Sequence, residues 1–322
     1  MRAIVTGVTG QDGYYMAKLL LEKGVAVLGL TSKAGTAELD LSGRHRDAFQ
    51  IDTFDYCTPR RISMLVGSYR PDLIFNFASM ATGEGMFDSP YELTRLNGGF
   101  VIDTLDALRE SRRRHEITLC QASSSEMYGI VTETPQSETT PFRPRSPYGA
   151  AKVYAHNMIG IYRSVYGVRC CSAILYNHES IRRSAKFVTK KIAHAAAAIS
   201  LGKMDFLTLG TLDAYRDWGY APEYVEAMYR MAMADTPDDY VVASGRLNSV
   251  RRLCEIAFAH VGLDYSKYVK VSADKSRAIE SVNLLGNPAK IRDALGWFAS
   301  RTVEDIMAEL VEHELSLTTG IR

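Results

Sequence analysis

Charge of either sign is not in excess in this chain. Its 38 Lys and Arg are set against 37 Asp and Glu, a formal net charge of +1. So even a balance leaves no electrostatic footprint for nucleic acid or an anionic membrane. The longest basic cluster, Arg112-Arg113-Arg114, is flanked by Glu110 and Glu116 and reads as a solvated helix end. Cysteine is scarce. The five residues, at 57, 120, 170, 171 and 254, show no paired spacing. Cys120, Cys170 and Cys171 sit in apolar, strand-like runs, which suits buried free thiols in a reducing cytoplasm. The seven histidines form no H-x-x-x-H or Cys/His set, so no protein-built metal site is expected. No run of about 18 apolar residues is present, and the N-terminus reads as a strand rather than a signal peptide. The expectation is a cytoplasmic protein.

What is present is an ordinary globular composition, 46% hydrophobic over 322 residues, enough for one large domain or two coupled ones. The first half alternates in type. Residues 2–6, 25–30, 47–51, 72–77, 116–122 and 168–175 read as strands. Residues 12–23, 59–68, 90–111 and 147–166 read as helices between them. Apolar strands alternating with helices imply a parallel sheet covered on both faces, a Rossmann-type doubly wound α/β fold. After residue 176 the rhythm breaks. A basic loop-like stretch, NHESIRRSAKF, leads to helices at 188–201, 222–234 and 249–260, strands near 206–208 and 240–243, and a helical region from Pro288. Residues 1–176 are expected to form a dinucleotide-binding domain, with segments about 209–250 returning to it. Residues 177–322 are expected to form mainly a smaller α/β substrate subdomain, with a cleft between.

Two motifs carry chemistry. TGVTGQDG, residues 6–13, follows the first strand and opens a helix. Gly7, Gly10 and Gly13 permit a tight turn and close approach of backbone to a pyrophosphate, and the helix N-terminus at Gln11 and Asp12 offers free N–H groups. The end of the second strand reads GLTSKAG, with no acid before Glu38 to pair with ribose hydroxyls. Ser32 and Lys33 lean toward the 2′-phosphate of NADP, with NAD still open, and Asp52, just past the third strand, is a further cofactor-binding candidate. The second motif is SPYGAAK, residues 146–152. Ser146 suits an N-cap and Pro147 the first helical position. Tyr148 and Lys152 are four apart on one helix face, and a nearby ammonium is expected to favour the phenolate. Such a pair can take a proton from a sugar hydroxyl as hydride leaves its carbon.

With these two motifs the chain resembles the extended short-chain dehydrogenases/reductases. Within them, TGVTGQDG, SSSEMYG, TPFRPRSPYGAAKVYA, LYNHESIRR, FVTKKI, RDWGYAPEYVEAM and NLLGNPAKIRDALGW are similar to the GDP-mannose 4,6-dehydratase family over most of the chain. The resemblance implies a redox-neutral cycle on a nucleotide sugar, with a tightly held nicotinamide cofactor. It implies Tyr148 and Lys152 at O4, Ser124 on the C4 oxygen, and Glu126, assisted by Ser125, as the group that eliminates water across C5–C6. It gives Asn177, Val188 through its backbone, Lys191 and Arg216 to the nucleotide diphosphate, and Arg277 and Glu280 to the nucleoside end. His178 and Arg183 match positions that touch the cofactor, and Arg182 and Arg183 positions that can reach a neighbouring subunit. A homodimer or homotetramer is implied.

The chain also departs from that pattern. After the fourth strand it reads NFASMATGEGMF, with Ala81, Thr82 and Gly83 replacing Ser-His-Val and Glu84 adding a charge. Phe100 and Val101 replace Gly-Thr, while Asn97 stays in step. A different sugar or a different outcome at C5 or C6 is therefore a standing alternative. So is a related epimerase or reductase, or a non-catalytic NADP(H) sensor. Glu126 speaks against a simple reductase, and intact Ser124, Tyr148 and Lys152 speak against a sensor.

Overall fold

A strand buried on both faces reads as a mostly apolar run, and most positions of the first-half strands are apolar. In the computed structural model, which describes residues 1–33, 41, 47–80, 87–272 and 283–320, they form one sheet. Its first half runs β1 (Arg2–Thr6), α1 (Gln11–Glu22), β2 (Ala26–Thr31), β3 (Phe49–Thr53), α2 (Arg61–Tyr69), β4 (Leu73–Asn76), α3 (Pro90–Thr94), α4 (Phe100–Glu110), β5 (Thr118–Ser124), α5 (Pro147–Tyr166) and β6 (Cys170–Leu175). The second half runs β7 (Asn177–Glu179), α6 (Val188–Ser200), β8 (Leu207–Leu209), β9 (Tyr215–Tyr220), α7 (Ala221–Met233), β10 (Tyr240–Val242), β11 (Leu247–Ser249), α8 (Val250–His260), β12 (Val269–Val271), α9 (Ala289–Leu295) and α10 (Val303–Thr319).

Seven strands pair in parallel in the order β10-β6-β5-β4-β1-β2-β3. One face packs on α1 and α7 through Met16, Leu20, Tyr224 and Met228. The other packs on α2, α4 and α5 through Ile62, Leu105, Leu108 and Ile159. The doubly wound α/β architecture is as expected. Strand order reverses between β1 and β4, which opens a crevice at their C-terminal ends. A third core, around Ile192, Trp218, Phe258 and Leu310, joins α6, α8 and α10 in the C-terminal half. Four of the five cysteines are buried and all are free. Among the described residues no helix is long and apolar enough to cross a membrane.

Two features differ from the sequence reading. The helix expected over 90–111 is interrupted by a π-helical turn at Arg95–Gly99. Asn97 lies in this turn, its side-chain carbonyl accepting from Met80 N and its amide donating to Met80 O. The stretch after residue 176, expected as a loop, contains β7, and β9 pairs with it and with β11 in a small second sheet. These strands are short and partly polar, so no two-residue alternation announces them.

Candidate active site

The glycine turn is shaped by what glycine lacks. Gly7 has φ +64°, and a side chain there would meet the Phe77 backbone at 3.0 Å. At Gly13 a methyl would stand 2.3 Å from the Gly7 carbonyl oxygen, so only glycine lets α1 start directly against the turn. Gly10 is the N-cap and supplies no side-chain acceptor, which leaves first-turn N–H groups for a ligand. Tyr56, absent from the sequence reading, braces the turn: its hydroxyl accepts from Gly7 N at 3.0 Å and donates to Leu30 O at 2.7 Å.

The side chains of Gln11, Asp12 and His178 are engaged with one another. Gln11 Nε2 donates to His178 O at 3.0 Å, and Ser180 Oγ donates to Gln11 Oε1 at 2.8 Å. His178 Nε2 lies 3.0 Å from Asp12 Oδ2, and its Nδ1 lies 2.6 Å from Tyr176 O. Burial opposes charge on both partners, yet their mutual attraction outweighs it, raising the His178 pKa and lowering that of Asp12. The pair thus ties the first turn of α1 to β7. At the end of β2, Thr31 Oγ1 meets Thr9 Oγ1 at 3.1 Å and accepts from Lys33 N. Ser32, Lys33 and Asp52 are exposed there.

The structure brings Ser124, Glu126, Tyr148 and Lys152 together. Ser124 ends β5 and caps a three-residue 3-10 turn, Ser125–Met127, by accepting from Glu126 N at 3.2 Å. Ser146 caps α5 by accepting from Gly149 N at 3.0 Å, with Pro147 in the first turn. Gly149 lets these segments touch: a methyl there would lie 2.6 Å from the Glu126 carbonyl oxygen. Ser125 is buried, while Glu126 is half-buried.

One expectation is corrected. Tyr148 does not have a lowered pKa here. Burial raises it, Glu126 adds to the rise, and the Ser124 and Ser79 hydroxyls and Arg183 only partly offset them. Lys152 is fully buried. Its Nζ donates to Ala122 O at 2.8 Å and lies 5.7 Å from the centre of the Tyr148 ring. Burial brings its pKa down to about 8. Ser79 also escaped the sequence reading, because a serine at a strand end carries no spacing signal.

On the other wall, Asn177 lies on β7 and pairs in register with Trp218. Val188 opens α6, whose first turn has no side-chain cap, so its N–H groups face outward from the helix. Lys191 is exposed on α6, and Arg216 lies on β9 with Nη1 donating to Tyr215 O at 2.7 Å. Arg182 and Arg183 both fold onto their own chain. Arg182 stacks on Tyr14 at 3.7 Å, and Arg183 stacks on Phe187 at 3.5 Å and pairs with buried Glu179 at 3.1 Å. Arg277, Glu280 and the segment from Ala81 to Glu84 lie outside the described residues.

These residues suit a dinucleotide. The glycine cradle has no room for a Cβ at Gly7 or Gly13. Ser79 Oγ and Ser123 Oγ are buried without a well-formed hydrogen bond. Lys152 has three donors and a single described acceptor. A ribose with its hydroxyls would complete this set.

The comparisons agree with that geometry. A model of the GDP-mannose 4,6 dehydratase family matches residues 4–310. A GDP-mannose 4,6 dehydratase 2 from Caenorhabditis elegans is 39% identical, over 98% of this chain and 89% of its own length. Among solved structures, RMD from Pseudomonas aeruginosa complexed with NADPH superposes with a TM-score of 0.81 at 21% identity, covering 98% of this chain and 99% of that one. A dTDP-glucose 4,6-dehydratase from Bacillus anthracis in complex with NAD gives 0.82 at 16%, covering 97% and 96%. The structural matches speak for the fold; the sequence matches, spanning nearly the whole chain, place it in the GDP-mannose 4,6-dehydratase family.

Proposed function

We propose that this family member is an NADP-dependent, cytoplasmic dehydratase that converts GDP-mannose, or a GDP-sugar close to it, to the 4-keto-6-deoxy sugar. As a member of the family it is a hydro-lyase acting on a nucleotide sugar. One observation carries the finer reading: the turn bearing Glu126 packs against the first turn of α5, where a side chain at Gly149 would meet the Glu126 carbonyl oxygen at 2.6 Å, and the Glu126 charge is felt at the Tyr148 phenol. Oxidation at C4 and elimination across C5–C6 each need a proton-transfer group, and these are two.

When bound, the nicotinamide supplies a hydride acceptor for sugar C4 and a hydride donor for C6. Tyr148 takes the proton from O4, and Ser124 hydrogen-bonds the same oxygen. The ketone at C4 acidifies the C5 proton. Glu126 takes that proton and passes it to the departing C6 hydroxyl, which leaves as water, and the proton Tyr148 took from O4 balances the one that C5 regains. Lys152 holds ribose hydroxyls with its remaining N–H groups. Gly7, Gly10, Gly13, Ser32 and Lys33 take the phosphates, and the absence of an acid at Thr31–Lys33 favours NADP over NAD. In this reading residues 1–176, with later segments, serve the cofactor, and Asn177, Val188, Lys191 and Arg216 in the remainder serve the diphosphate.

Mass spectrometry tests the reading. Protein incubated with GDP-mannose and no added reductant is expected to yield a product lighter by one water. Loss of water from another GDP-, CDP-, dTDP- or UDP-sugar alone would move the substrate and keep the chemistry. No loss from any donor would defeat the reading.

A homodimer or homotetramer completes the proposal. Tyr154, Ile161 and Val165 are all exposed at seven- and four-residue spacings, one stripe along α5, with exposed Tyr91 on α3. A second copy would cover this stripe. Light scattering of the wild type is expected to give a dimer or larger, and Val165→Glu with Ile161→Glu is expected to shift it toward monomer. A monomeric wild type would sink the assembly proposal.

A further inference from the structure

A row of polar side chains crosses the sheet beneath α5. Thr6, Asn76 and Gln121 are register partners on adjacent strands β1, β4 and β5. All three are at most 1% exposed. The row two residues before it is apolar: Ile4, Ile74 and Leu119. Polar groups so deep carry a desolvation cost unless each is paired, and these are.

The direction of the row is forced. Thr6 Oγ1 accepts the N–H groups of Phe77 at 3.1 Å and Ala78 at 3.0 Å. With its lone pairs used, its own proton goes to Asn76 Oδ1, at 2.5 Å. Asn76 therefore turns its Nδ2 to Gln121 Oε1, at 2.7 Å, and Gln121 turns its Nε2 to Ala122 O, at 2.7 Å. That carbonyl is also the acceptor for Lys152 Nζ at 2.8 Å. Each donor along the row points toward the catalytic lysine. One lone pair of Ala122 O goes to Gln121, which leaves one direction from which the ammonium can approach.

We propose that Gln121, oriented by Asn76 and Thr6, is a positioning residue that fixes the Lys152 ammonium on the Ala122 carbonyl and keeps its other N–H groups aimed at the cofactor. This rests on the reading of Lys152 as a cofactor-binding catalytic residue. Gln121 itself touches neither substrate nor cofactor. The elements around Lys152 carry ionisable groups, among them Tyr148, His156 and Arg163 on α5, Asp103 and Asp106 on α4, and Glu126 on the turn after β5. Burial, rather than any of these, governs the charge of Lys152. A carboxylate in place of the Gln121 amide would be a close counter-ion for it.

The test is the pH dependence of NADPH binding, followed by fluorescence, in wild type and in Gln121→Glu. Wild-type affinity is expected to fall above about pH 8, where Lys152 discharges. In Gln121→Glu that fall is expected to move up by at least one pH unit. Affinity at pH 7 is expected to drop at least tenfold as the ammonium is drawn from the cofactor, with the melting temperature little changed. Asn76→Asp, which touches neither Lys152 nor cofactor, cannot donate to Gln121 and forces its amide to turn. It is expected to weaken binding in the same way by a smaller factor. A packing role alone would lower the melting temperature and leave the pH limb where it was. An unmoved limb in a folded variant, or failure of both variants to fold, overturns the proposal. A moved limb in a protein that dehydrates no nucleotide sugar leaves the proposal standing and defeats the dehydratase reading instead.

Discussion

Tyr148→Phe is expected to lower turnover by ~10²–10⁴-fold while sparing cofactor binding. The phenol oxygen is the atom beside the Ser124 and Ser79 hydroxyls, and it is the one group on this face of α5 suited to take a proton from a sugar hydroxyl. Removing it changes no backbone contact, since α5 is held by Ser146 and Gly149. The wild-type pH profile supplies a further check. Burial raises the Tyr148 pKa, so the phenolate fraction, and with it kcat/KM, rises with pH on the acid side. Lys152 acts only while protonated, so activity falls above about pH 8. Steady-state kinetics with mass detection decide the matter. A variant that keeps more than about a tenth of wild-type turnover would remove Tyr148 from the proton-transfer role.

Glu126→Gln carries the second large effect. Water loss is expected to fall by ~10²–10⁴-fold while hydride exchange at C4 continues slowly. The amide has the shape of the carboxylate but cannot accept the C5 proton. The cap from Ser124 Oγ to the backbone N–H of residue 126 involves no side-chain atom of that residue, so the turn is preserved. The expected signature is separation of the two half-reactions. Substrate labelled with deuterium at C4 passes its label to bound cofactor, and little dehydrated sugar appears. Dehydration at close to the wild-type rate would show that another group removes the C5 proton and that the serine-flanked acid has a different purpose.

The parts of this protein that follow from local pattern are legible in its amino-acid sequence. TGVTGQDG predicts a turn and a helix start because positive φ and tight approach exclude side chains, and Gly7 and Gly13 occupy such positions. Ser146 and Pro147 predict the start of α5, and the four-residue step from Tyr148 to Lys152 puts both on one face. Apolar runs separated by helices predict the parallel sheet. What local pattern does not carry is the relation between distant segments. The π-turn at Arg95–Gly99 holds Asn97, whose side chain bonds Met80, 17 residues away in sequence. The small sheet of β7, β9 and β11 joins short polar segments with no periodicity of their own.

The site divides along the same line. Sequence nominated the side chains for the chemistry: the four-residue step marked Tyr148 and Lys152, and the family resemblance added Ser124 and Glu126. Only the tertiary structure decided their state. Depth of burial depends on every element packed above, and it pushes Lys152 down to about 8 and Tyr148 upward, against the expectation of a lowered phenol. It also decided that Gln11, Asp12 and His178 bind one another, 166 residues apart from Asp12 to His178. Finally it aligned Thr6, Asn76 and Gln121. Each is an unremarkable polar residue in its own strand, and only parallel register across β1, β4 and β5 joins them into a directed row ending at the lysine.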